Sequence, residues 1–159
     1  MNTHDALMIS LVILTAVACD GGTMVKETRG SKPDPVMTML HQGVIELNEN
    51  IEELQGHIAE LKQMPLDSDP RVQELQGLDL ASWELHLQQW ILQRENMVSS
   101  LDSIQQAQAT PQDKAAIGSQ WSVRRAQYMK TIEELRANRR KIEQKRTEVE
   151  SQVLERYFQ

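Results

Sequence analysis

The sequence predicts an all-α protein: three long amphipathic helices forming an up-down-up bundle or coiled-coil hairpin. Three observations lead there. Apolar residues recur at heptad spacing through three long segments, proline-bearing start signals separate those segments, and residues 113–159 hold no proline and a single glycine. That last stretch lacks the punctuation that strands and turns need. The 159 residues allow one domain or two, aromatic residues make up only 4%, and the lone cysteine permits no intramolecular disulfide.

The first helix is the clearest. From Met37, the residues Met37, Val44, Ile51 and Ile58 stand seven apart, and Leu40, Leu47, Leu54 and Leu61 follow each by three. Four a/d pairs, mostly β-branched at a and Leu at d, suit a two-stranded coiled coil. Positions e and g, among them His41, Asn48 and Gln55, carry little charge to select a partner. The stripe therefore serves an intramolecular bundle equally well.

Residues 64–70 (MPLDSDP) end that helix, and Asp69 before Pro70 predicts an N-cap with proline at the first helical position. The second helix then runs to about Ala109. Its main stripe is Leu80, Trp83, Leu87, Trp90, Met97, Leu101 and Ile104, with Arg94 in one seam position. Leu78, Ala81, Leu85 and Leu92 form a shorter patch opposite. Two apolar faces predict a middle helix, or one face left for docking. His86, between the two tryptophans, is expected as a polar neighbour of the aromatic seam.

Thr110 as N-cap, Pro111 and Asp113 in the first turn predict a third helix reaching about Tyr157, about 65–70 Å long if continuous. Trp121, Tyr128, Leu135, Ile142 and Val149 recur every seven, with mostly polar or basic residues between them (Arg124, Thr131, Asn138, Lys145). So narrow a stripe predicts the most solvated helix. Folding back at Asp67 and at Thr110 would level Trp83 with Ile51, Trp90 with Val44, and Trp90 with Lys130 near Tyr128. All three stripes would then share one seam.

Ahead of the helices, residues 6–18 (ALMISLVILTAVA) carry no charge. A helix of that length spans about 20 Å, short of the ~30 Å hydrocarbon core, and suits a signal-peptide hydrophobic region. Ala16-Val17-Ala18-Cys19 follows, then Asp20-Gly21-Gly22. Here the chain resembles bacterial lipoprotein precursors, whose lipobox sets small residues before a cysteine. The resemblance implies a cleaved signal peptide at 1–18, a thiol of Cys19 carrying diacylglyceryl, and attachment to a membrane of the cell envelope, facing away from the cytoplasm. Asp20 leans to the inner membrane by the enteric sorting rule, without deciding between inner and outer. Residues 19–35 read as the lipidated end and a glycine- and proline-bearing tether of about 20–25 Å reach, leaving 36–159 for the helical bundle.

Catalytic chemistry is not visible. No phosphate-cradling glycine loop, nucleophile elbow, His-Glu-x-x-His or Glu-x-x-His occurs, and acylation would consume the one thiol. Glu53, His57 and Glu60 share neighbouring turns but read as an exposed polar face. Neither an enzyme, a metal nor a cofactor is expected.

Charge divides the chain. Residues 19–120 hold 7 Lys+Arg against 16 Asp+Glu, net −9, while residues 121–159 hold 10 against 6, net +4. The plainest account is a basic third helix complementing two acidic ones, with i,i+4 pairs of its own. A sharper account makes it a docking face, with Arg139 and Arg140 at its centre. An acidic chain in the envelope is not expected to bind nucleic acid. The expected function is a lipid-anchored, non-enzymatic scaffold or assembly protein with a protein partner in the envelope. Two alternatives are a pilotin-like carrier that grips a partner segment through Leu78, Leu85, Leu92, Trp83 and Trp90, and a self-associating coiled coil.

Overall fold

A computed structural model describes residues 34–158; the signal-peptide, Cys19 and most tether expectations lie outside the described residues. Among the described residues the chain forms α1 (Pro35–Gln63), α2 (Pro70–Ala109), a 3-10 turn at Pro111–Asp113 and α3 (Lys114–Tyr157), and no strand. The all-α class is as predicted.

The chain divides into two units, Met1–Met39 and Leu40–Gln159. Of the first, residues 34–39 are described. There the Asp34 carboxylate accepts from the Val36 N–H at 2.9 Å, and the Asp34 carbonyl accepts from the Thr38 N–H at 3.0 Å. Asp34-Pro35 thus repeats the Asp69-Pro70 start signal, which the heptad reading passes over by assigning residue 35 to the tether.

The second unit is the bundle. α2 is antiparallel to both neighbours. On the α1 side His57 packs on Trp83 and Asn48 accepts from Arg94. On the α3 side Trp121 donates to Ser100 and Arg146 pairs with Asp79. The middle-helix reading of α2 holds. Its N-terminus is capped as predicted, the Asp69 carboxylate accepting from the Arg71 N–H at 2.9 Å.

The core is narrow. Leu40, Leu47, Ile51, Leu54 and Ile58 of α1 are buried, all at the predicted a and d positions, with Met97, Ser100 and Leu101 of α2 and Ile132 and Val149 of α3. α3 is the most solvated helix, as its stripe implies. Ile132, 3% exposed, lies outside the every-seven row of Trp121, Tyr128, Leu135, Ile142 and Val149. It belongs to a second row one turn along from the first: Arg125, Ile132, Arg139, Arg146 and Val153. Arginines hide this row from a reading of apolar spacing, because only the stems of such side chains line a seam.

Two sequence expectations are corrected. Trp83 lies beside His57, not level with Ile51, and the register of Trp90 with Val44 shifts likewise. The linker does not turn tightly but runs back over the first turns of α2. Gln73 donates to the Asp67 carbonyl at 2.6 Å, and the Asp67 N–H donates to Gln76 at 3.2 Å. α2 therefore overshoots the end of α1. Thr110 is no N-cap: its N–H and its hydroxyl both bond back to the Gln106 carbonyl, at 2.9 and 2.8 Å. It closes α2, and α3 begins after the 3-10 turn. The α2–α3 register lies within a turn of the expected one, between the Ser100–Trp121 and Asp79–Arg146 contacts.

Candidate interaction surface

α2 and α3 join through polar groups. Three ion pairs cross between them: Asp69–Arg156 at 3.2 Å, Glu74–Lys145 at 2.6 Å and Asp79–Arg146 at 2.6 Å. Glu74 and Asp79 stand on the N-terminal half of α2, Asp69 caps it, and each base stands on the C-terminal half of α3. Asp69 serves twice, one oxygen capping α2 and the other meeting Arg156. Arg71 donates to the Gln152 carbonyl at 3.1 Å. At the opposite end Arg124 donates to Ser99 at 3.2 Å and the Trp121 indole to Ser100 at 3.2 Å. The plain account of the basic helix is thus met in part.

Between α1 and α2 runs a ladder of four rings. His57 meets Trp83 edge-on at 5.1 Å, Trp83 stacks on His86 at 6.1 Å, and His86 meets Trp90 edge-on at 4.5 Å. His86 is the expected polar neighbour of the tryptophans. Burial first, and then the charge of Arg139, hold its imidazole below the ordinary histidine value. Burial likewise pushes the Tyr128 hydroxyl up, against the opposing charges of Arg136 and Arg125.

The residues singled out for partner binding do not form one site. Leu78, Leu85 and Leu92 are half-buried, on a heptad row that continues to Ser99, which bonds Arg124 of α3. Trp90 is half-buried and Trp83 is 38% exposed, and both belong to the ladder on the α1 side. Arg139 pairs within α3 with Glu143 at 2.8 Å. Arg140 is exposed, and no carboxylate reaches it, Arg136 or Lys141 among the described residues.

Among the described residues no three His, Cys, Asp or Glu side chains gather as a metal site, and no helix is long and apolar enough to cross a membrane. What the bundle presents is surface: long charged faces and a few exposed apolar side chains such as Ile45 and Val123. No family model matches the chain, and neither a curated protein nor a solved structure is significantly similar to it.

Proposed function

We propose that this chain is a lipid-anchored, non-enzymatic protein of a bacterial cell envelope, acting as a scaffold or assembly factor through contacts of its helices. The observation that carries the reading is the position of the lone cysteine. Cys19 follows thirteen uncharged residues directly and precedes Asp20-Gly21-Gly22. Several acyl chains at that thiol hold a protein on a membrane far more firmly than a single chain does. A helical bundle with charged outer faces is suited to recognition by touch.

The test is the mass of the native product. The reading expects an N-terminus at Cys19 carrying acyl chains, and loss of fatty-acid labelling in Cys19→Ala. An intact leader with an unmodified thiol overturns it. Crosslinking from Arg139 in cells then identifies what the bundle touches.

A further inference from the structure

The outer helices keep charges of opposite sign that nothing within the bundle uses. α1 carries Glu46, Glu49, Glu52, Glu53 and Glu60 against the single Lys62. None of these glutamates is in an ion pair, and no ion pair joins α1 to α3, among the described residues. On α3 Lys114, Arg136, Arg140 and Lys141 make no ion pair, hydroxyl hydrogen bond or ring contact among the described residues, and the last three lie near the middle of the helix. Glu53, Glu60, Arg140 and Lys141 are all exposed, and Arg136 is half-buried.

These groups also share a height. The Asn48–Arg94 bond and the His57–Trp83 contact set α1 against α2, and the Ser99–Arg124 bond and the Asp79–Arg146 pair set α3 against it. Counted along α2 from these contacts, His57 and Arg139 stand within about a turn of each other, and both helices run the same way from there. At ~1.5 Å per residue, Glu53 lies about 6 Å to one side of that level and Arg136 about 4.5 Å to the same side. On the other side Glu60 lies at about 4.5 Å, with Arg140 and Lys141 at about 1.5 and 3 Å.

We propose that α1 of one copy docks against α3 of a second copy standing parallel beside it, with Glu53 and Glu60 facing Arg136, Arg140 and Lys141. The apolar alternative, a coiled coil between two α1 helices, has no stripe to use, because Leu47, Ile51, Leu54 and Ile58 are buried inside each bundle. Basic residues alone would accept any acidic partner; a second copy is favoured because it brings glutamates at matching heights. The parallel arrangement rests on the anchor reading, which ties every chain to one membrane through the segment that precedes α1. Confinement there also raises the effective concentration that exposed ion pairs need.

The test mixes full-length protein with heavy-isotope-labelled full-length protein in phosphatidylcholine vesicles and applies a zero-length carbodiimide crosslinker. Mixed-isotope peptides joining Glu53 or Glu60 to Lys141 are expected. Their yield falls at least about fivefold when salt is raised to about 0.5 M, and also in the Arg136→Glu/Arg140→Glu variant, which keeps the carboxylates and the amine that the reagent joins. Exchanging all five charges (Glu53→Lys, Glu60→Lys, Arg136→Glu, Arg140→Glu and Lys141→Glu) restores crosslinking between the same positions, which a merely damaged fold would not do. Absence of mixed peptides overturns the pairing whatever the state of Cys19, and so do mixed peptides indifferent to salt and charge reversal. An unmodified Cys19 in the same sample overturns the anchor reading instead.

Discussion

The seam between α1 and α2 is lined mainly by aliphatic side chains and rings, whereas that between α2 and α3 adds three ion pairs and two hydroxyl bonds to the half-buried row of Leu78, Leu85 and Leu92. Among the described residues α1 contributes five buried aliphatic residues and α3 two, Ile132 and Val149. The backbones differ too: α2 and α3 run close together along their length, while α1 stands farther off. Where Trp83, Arg94 and Met97 reach His57, Asn48 and Gly43, the helix axes are held apart. Small residues on the other face of α2, such as Ala81, Ser99 and Ser100, let α3 approach. One middle helix thus supports a mainly apolar seam and a seam with charged edges, and burial yields far more free energy than exposed ion pairs do.

The most direct way to break this comparison is to remove an apolar residue of α1. Leu54→Ala, at a position 5% exposed, is expected to lower the unfolding free energy by about 2–5 kcal/mol in urea denaturation. A cost no greater than that of removing an ion pair on the α3 side would erase the contrast.

Ser100→Ala probes the polar seam at its one buried hydroxyl. Ser100 donates to the Asn96 carbonyl at 2.8 Å and accepts from the Trp121 indole at 3.2 Å. Its loss strands the indole N–H, with an expected cost of about 1–2 kcal/mol and a changed environment in Trp121 fluorescence. An unchanged stability would mean that water replaces the hydroxyl freely.

A double-mutant cycle with Asp79→Asn and Arg146→Ala sharpens the comparison further. The two side chains are 43% and 44% exposed, so a coupling below about 1 kcal/mol is expected despite the short contact. A coupling as large as the Leu54→Ala effect would show that charge, not burial, holds α3.

The smallest effect is the pH dependence of His86. Its folded value lies below the ordinary one, because burial and Arg139 disfavour the charged ring. The unfolded chain therefore takes up the proton first. The stability this histidine contributes is full above about pH 6.5 and is lost as pH falls through the lower folded value. Urea midpoints measured across that window should fall less in His86→Gln than in the natural chain; parallel slopes would refute the assignment.

Much of the fold is legible in the residues themselves. The a and d pattern of α1 names its buried positions, and Asp69-Pro70 announces the start of α2. Of the candidate surface, the aromatic seam around His86 and the basic character of α3 are legible as well. Ile132 is not, because its row is shared with arginines that reveal their seam position only through their partners. The unused cations of α3 are equally hidden: nothing in the sequence separates Arg140, which stays unpaired, from Arg146, which meets Asp79.

The sequence by itself determined the helices, their approximate ends and the sides they bury, since capping, proline placement and heptad spacing act over one or two turns. Only the tertiary structure decided how far each helix slides along the next, which Thr110 hydroxyl bond forms and which charges remain outside. Those depend on how Gln73 and Gln76 hold a linker and on which rings fill a gap, and such contacts join residues whose spacing along the chain carries no local signal.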